Sequence, residues 1–238
     1  MAAQGCHLVL VARTQPALEK LAGELSAAHG IDVEVLPADL ITDAGVAAVE
    51  GRLAEERGPP VDLLVNNAGY GSAGAFARLD PDRVVGEVRL NVLALVRLTR
   101  AAVPGMVARG TGAVLNVSSV AGLQPIPNFA TYAATKAFVT CFSEGLHEEL
   151  RGRGVTVTAV LPGFTRTGFK ARAGLERTRI PNFAWMDAGR VADDALAATA
   201  AGRAVCIPGL AWKALAALTR PLPRSLVRRV LGLGRNSW

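Results

Sequence analysis

Residues 114–136 read VLNVSSVAGLQPIPNFATYAATK, and the fold and the chemistry both turn on this stretch. The apolar run at 113–117 predicts a buried strand, and Ser119 stands just beyond its end. A hydroxyl at that end lies on the rim where open α/β sheets bind ligands. Tyr132 and Lys136 are four residues apart, so on a helix they share one face. A lysine ammonium beside a phenol favours the phenolate, which predicts that Tyr132 titrates below a free tyrosine. A tyrosine tuned in this way can exchange a proton with an alcohol or ketone oxygen. Taken alone, Tyr-x-x-x-Lys fits an ordinary surface helix pair equally well.

Working outward, short apolar runs at 7–12, 33–36, 61–65, 113–117, 155–161 and 204–207 predict strands. Helical spacing fills 16–28, a stretch from Asp43, 82–108, 131–151 and 191–201. This alternation predicts an α/β fold with a parallel sheet wrapped by helices on both faces. Val61–Val65 is followed by Asn66-Asn67-Ala68-Gly69, and Asn91 sits within Leu90-Asn91-Val92.

Together with Ser119, Tyr132 and Lys136, these residues resemble the short-chain dehydrogenase/reductase family over residues 5–167. The resemblance implies a Rossmann-like, doubly wound parallel sheet in three αβα layers, one domain at 1–208, followed by a basic amphipathic extension at 209–238. It makes Tyr132 the general acid in reduction and the base in oxidation. Lys136 assists Tyr132 and binds the nicotinamide ribose, and Ser119 holds the substrate oxygen. Asn91 interrupts its helix and holds a water that links Lys136 to solvent. Ser118 is expected on the opposite side of the extended chain.

One family feature is missing. The family's first strand leads into a Thr-Gly-x-x-x-Gly-x-Gly loop that cradles the cofactor pyrophosphate. No such loop precedes the first strand of this sequence, and Ala2-Ala3-Gln4-Gly5 reads as the last turn of the helix that would follow it. The expectation is an N-terminally incomplete Rossmann fold, produced either by a misplaced start or by a genuine loss of the cradle and one central strand. In the second case a core edge of the sheet is exposed.

The remaining cofactor residues follow from the same resemblance. Arg13 comes directly after the first strand, where its guanidinium suits a ribose 2′-phosphate, so NADP(H) is the expected cofactor. Asp39 and Leu40 flank the adenine, although Asp39 also fits a loop cap. Asn67, Ala68 and Gly69 pass under the cofactor ribose, while Asn66 and Asn67 also fit a structural bridge between strands. Pro162 and Gly163 form the turn that seats the nicotinamide, and Thr165 and Thr167 contact its carboxamide. The flap at 164–186 carries Phe164, Phe169, Phe183, Trp185 and Met186, which points to an apolar carbonyl or alcohol substrate or to ordinary packing.

Composition bounds the rest. The chain has 238 residues and a net charge of +6, with Arg220, Arg224, Arg228, Arg229 and Arg235 concentrated late. Charges elsewhere are mixed, which argues against nucleic-acid binding. The tail after Pro208-Gly209 places Trp212, Leu215, Leu218, Leu222, Leu226, Val227 and Val230 on amphipathic helices broken by Pro221 and Pro223. That pattern fits peripheral membrane contact, a pocket wall, a subunit contact or packing on its own domain. No run of eighteen apolar residues and no secretory signal is read. Cys6, Cys141 and Cys206 are expected as reduced, buried thiols of a cytoplasmic protein, without a metal site. Homodimers or homotetramers are expected from the family. A non-catalytic relative acting as a binding or scaffold protein is the alternative function.

Overall fold

The computed structural model describes residues 1–54, 58–167 and 184–219. The chain forms two compact units, Met1–Pro60 and Val61–Trp238.

The first unit contains strand β1 (Leu8–Ala12), helix α1 (Gln15–His29), strand β2 (Val33–Pro37) and helix α2 (Asp43–Ala54). A 3-10 turn at Ala2–Gln4 precedes β1 and ends on Gly5 at φ 77°, so the expected helical turn is present with a left-handed cap. β1 and β2 pair in parallel, from Leu8 opposite Val33 to Ala12 opposite Pro37. Leu18 and Ala22 of α1 and Val46 and Val49 of α2 are buried, whereas no residue of β1 is.

The second unit holds a four-stranded parallel sheet in the order β3 (Leu63–Asn66), β4 (Gly112–Val117), β5 (Val155–Val160), β6 (Val205–Cys206). Its helices are α3 (Pro81–Val88), α4 (Leu95–Arg109), α5 (Ala130–Glu149), α6 (Ala188–Ala200) and α7 (Leu210–Thr219). β4 and β5 run alongside each other from Gly112–Val155 to Val117–Val160. Val114 and Val157 are fully buried, as are Met106 of α4 and Val139 of α5. Burying each such side chain contributes about 1.5–3 kcal/mol. Strands covered on both faces read as continuous apolar runs rather than as alternation.

The single expected sheet is therefore present as two. Among the described residues β1 pairs only with β2, and β3 only with β4. Val65 of β3 is 45% exposed, as a strand with one neighbour allows. The last strand is shorter than expected, Val205–Cys206 rather than 204–207, because only those residues pair with β5.

The helix expected at 82–108 is continuous in length but contains a π-helical segment at Arg89–Ala94, around Asn91. The expected local interruption at Asn91 thus takes a specific form. By length and composition Pro81–Arg109 could cross a membrane, although Arg89, Asn91, Arg97 and Arg100 interrupt it, so it is not an unbroken apolar run. One side of it is packed into the core, with Glu87, Asn91 and Thr99 buried along with Leu95, Leu98, Ala102 and Met106.

The cysteines are free, but they are not the buried thiols expected. Cys141 is exposed on α5, Cys6 is half-buried in the connection before β1, and Cys206 is half-buried on the short strand β6. The expected tail helices from Arg220 onward, with Leu222, Leu226, Val227 and Val230, lie outside the described residues, as do Phe169 and Phe183.

Candidate active site

The site is assembled where β4 ends against the start of α5. Ser118 and Ser119 leave the strand in extended conformation, so they point opposite ways. Ser118 is buried and donates to the Lys136 carbonyl at 2.7 Å while meeting Thr140 Oγ1 at 2.8 Å. It pins the strand to α5. Ser119 faces the other way, accepting from Ala121 N at 3.1 Å and approaching the Pro162 carbonyl at 3.5 Å. Its hydroxyl also hydrogen-bonds the Tyr132 phenol.

Tyr132 and Lys136 lie on one face of α5, with Lys136 Nζ 5.8 Å from the Tyr132 ring centroid. Both are buried, at 8% and 6% exposed. Lys136 Nζ donates to the Val117 carbonyl at 2.8 Å, which fixes the long side chain against the strand end. Burial lowers the Lys136 ammonium to about 8, with the Glu87 carboxylate acting in the opposite sense. Burial also pushes Tyr132 up to about 12, partly offset by the Ser119 hydrogen bond, while Glu87 adds to the rise. The expectation that Tyr132 titrates below a free tyrosine is thus reversed. Loss of water around the phenolate outweighs attraction to an ammonium that is itself directed at a carbonyl.

Asn91 is 1% exposed and serves as a clamp. Its Oδ1 accepts from Tyr70 N at 3.1 Å, and its Nδ2 donates to Tyr70 O at 2.9 Å and to Thr135 Oγ1 at 3.1 Å. Thr135 in turn donates to the Tyr132 carbonyl at 2.8 Å. Gly69 is confined by this clamp, since a Cβ there would stand 2.9 Å from Asn91 Oδ1 and 3.5 Å from Lys136 Nζ. Asn67 and Ala68 are exposed beside it. Asn66 is buried and bridges Thr99 at 3.1 Å and Asn116 at 2.8 Å, which is a structural role.

Past β5, Pro162 accepts from Val120 N at 3.1 Å. A side chain at Gly163 would collide with the Trp212 ring, so only glycine lets α7 close on this turn. Thr165 donates to the Gly163 carbonyl at 3.1 Å and pairs with Met186. Phe164 meets Trp185 in a tilted pair at 5.8 Å and Trp212 edge to face at 5.5 Å between ring centres. Thr167 follows at the end of the described segment.

Arg13, Asp39 and Leu40 lie in the first unit, after the ends of β1 and β2, which are joined by Ala38 N donating to Ala12 O at 3.0 Å. Arg13 is exposed. Asp39 caps its own loop, accepting from Ile41 N at 3.1 Å. The structure therefore brings Asn91, Ser119, Tyr132, Lys136, Gly69 and the Pro162–Thr165 turn into one network, and describes the adenosine-side residues separately.

Three participants escaped sequence reasoning: Tyr70, Thr135 and Glu87. Thr135 was visible as the neighbour of Lys136. Glu87 was visible as the residue four before Asn91, on the same helical face.

The donor set suits a nicotinamide cofactor in part. An ammonium has three N–H donors, and Lys136 directs one at Val117, leaving the rest of its capacity toward the Tyr132 side. The pyrophosphate cradle is not in this sequence.

Comparison with known proteins agrees with this geometry. The family model for short chain dehydrogenases matches residues 1–177. A short-chain dehydrogenase from Sphingobium yanoikuyae, solved in complex with NADPH, is 39% identical and superimposes with a TM-score of 0.83 over 92% of this chain and 86% of that one. The bulky-bulky ketone specific alcohol dehydrogenase of Comamonas testosteroni is 33% identical, with a TM-score of 0.78 over 92% of this chain and 84% of that one. A very-long-chain 3-oxoacyl-CoA reductase of Bos taurus is 35% identical over 171 residues, 70% of this chain and 54% of that protein. The chain thus spans about half the length of the curated relatives it matches first. The fold is the Rossmann-like α/β fold of these structures, and the chain belongs to the short-chain dehydrogenase family of oxidoreductases.

Proposed function

We propose that this protein reduces a bulky apolar ketone or aldehyde to its alcohol with NADPH, with Tyr132 as the proton donor. The observation that carries this reading is the convergence of the Ser119 hydroxyl and the Lys136 ammonium on one buried phenol. A phenol pushed up to about 12 holds its proton at neutral pH, which favours the acid role and hence reduction. Ser119 donates to the substrate oxygen and holds it within reach of Tyr132. Lys136 steadies the negative charge that Tyr132 acquires on giving up its proton, and offers N–H donors to the nicotinamide ribose. Asn91 keeps Tyr70 and Thr135 in place, and a water held in the opened π turn can return a proton to the pair. The nicotinamide supplies the hydride when bound.

The choice of NADPH rests on Arg13 at the end of β1, supported by the NADPH complex of the Sphingobium relative. Thr165 and Thr167 are the residues assigned to the carboxamide on this reading. The substrate class rests on Phe164, Trp185, Met186 and Trp212, and agrees with the bulky ketones named for the Comamonas relative. Exposed Val85, Val88, Leu93 and Phe138 offer an apolar face for self-association, which light scattering after size exclusion tests directly.

The test is a fluorescence titration of NADPH and NADH into the full chain, followed by NADPH-dependent reduction of aryl and long-chain ketones. Tighter NADPH binding with turnover of bulky ketones is expected. Failure to bind either nucleotide sinks the reading and leaves a non-catalytic binding role.

A further inference from the structure

Glu87 sits on α3, 0% exposed, in the part of the second unit where α3 packs against α5 and the π segment. The side chain and backbone of Ser72 are the hydrogen-bonding neighbours of its carboxylate, yet burial still pushes Glu87 above the usual carboxylate range. Burying a carboxylate is costly even beside such donors, so an aliphatic side chain would fill this position at lower free energy. Something other than packing therefore explains a charged group there.

The groups that face Glu87 are few. Arg83 lies one turn earlier on α3, Ser72 on the loop after β3, and Lys136 and Tyr132 on α5. Arg83 is committed elsewhere: it donates to the Gly71 carbonyl at 3.2 Å and lies 5.1 Å from the centre of the Tyr70 ring. Tyr70 also donates to the Arg83 carbonyl at 2.7 Å, which ties the loop bearing Ser72 to α3. The remaining cation is Lys136, itself buried and hydrogen-bonded only to the neutral Val117 carbonyl among the described residues.

We propose that Glu87 is a positioning residue of this site, a buried counter-charge that keeps Lys136 an ammonium while it acts on Tyr132. The proposal rests on the reading of Tyr132 and Lys136 as the reacting pair for its effect on turnover, but not for its effect on their titration. The directions of charge coupling agree: Glu87 favours the proton on Lys136 and on Tyr132, and Lys136 favours the ionised form of Glu87. The carboxylate thus holds both protons of the pair against the burial that would strip the lysine.

The sequence makes the test practical, because it contains four lysines (Lys20, Lys136, Lys170 and Lys213) and two tyrosines (Tyr70 and Tyr132). The full chain is labelled with 13Cε-lysine and 13Cζ-tyrosine and titrated by NMR as wild type, Glu87→Gln and Glu87→Asp. The Lys136 signal is assigned by its loss in Lys136→Met. In Glu87→Gln the Lys136 midpoint is expected to fall by about one pH unit, a tenfold change in its ionisation constant, and the Tyr132 midpoint to fall with it. Glu87→Asp should restore part of both shifts. If the chain turns over a ketone, the limb of its pH–rate profile set by Lys136 moves by the same amount; if it does not, the NMR arm stands alone. Unchanged midpoints in a folded Glu87→Gln protein overturn the proposal, because a Glu87 that stays protonated behaves as glutamine does. Should Glu87→Gln fail to fold, the same coupling is read in reverse. The 13Cδ midpoint of Glu87, assigned by its loss in Glu87→Asp, must rise in Lys136→Met, and no rise overturns the proposal.

Discussion

The sheet that carries Ser119 and the sheet that carries Arg13 are built from the same kind of strand, yet they are buried to different depths. In β4 and β5, Val114, Val157 and Ala159 are fully buried, whereas every residue of β1 keeps some exposure. The difference lies in neighbours rather than residues: among the described residues β4 and β5 each pair on both sides, and β1 on one. An apolar run states how much burial a strand can use, and its partners decide how much it gets. On the proposed reading, proton chemistry falls to the deep sheet and nucleotide selection by Arg13 to the shallow one.

The sharpest way to break this division is to remove one function from each sheet. Tyr132→Phe should lower turnover by about 10²–10⁴-fold while leaving NADPH affinity nearly unchanged, as measured by steady-state kinetics beside fluorescence titration. The structural counterpart is a pair of leucine truncations. Leu115→Ala in β4 should cost about 2–5 kcal/mol, and Leu10→Ala in the half-buried β1 about 1 kcal/mol, in urea unfolding. Equal costs would erase the distinction between the sheets. Arg13→Ala should weaken NADPH binding by about 1.5–3 kcal/mol and NADH binding little, without changing the rate at saturating cofactor. Asn91→Ala should destabilise the fold by about 1–3 kcal/mol, because it strands the Tyr70 backbone and Thr135 on the deep side.

A further effect is in the pH dependence of stability. Folded Lys136 loses its proton near pH 8, whereas in the unfolded chain it does so near 10.5. Between those values the unfolded state binds more protons, so stability rises with pH, and below about 8 the cost of burying the ammonium is present in full. Tyr132 works the other way, keeping its proton to about 12 when folded but only to 10 when unfolded. Its contribution is therefore lost as pH climbs from 10 to 12. Urea melts across this range should show stability from these two groups peaking near pH 10.

Much of this was legible in the chain. The spacing of Ser119, Tyr132 and Lys136 is set by one strand end and one helix face, which local sequence fixes. So is the disturbance at Asn91. The titration of Tyr132 was not legible, because its sign depends on how fully α5 is desolvated and on where Lys136 Nζ turns. The burial of Glu87 was hidden for a similar reason, although its place on the Asn91 face was not. In Gly86-Glu87-Val88-Arg89 it reads as one more charge on a solvated helix face, and only the packing of α3 against α5 takes it out of water. The division of the sheet also rests on pairing, which no single run of residues reveals.

The π segment at Arg89–Ala94 has a consequence for how the chain tolerates change in length. A π turn closes over five residues where an α turn closes over four, so it behaves as an insertion absorbed by the helix. Deleting one residue from 89–94 would allow an unbroken α-helix to form and would turn everything beyond the deletion by about 100° relative to α3. Helix content would survive while Asn91 lost its grip on Tyr70 and Thr135. At this point the protein is sensitive to residue count as well as residue type, so a single-codon deletion here should be more damaging than most substitutions within the same turn.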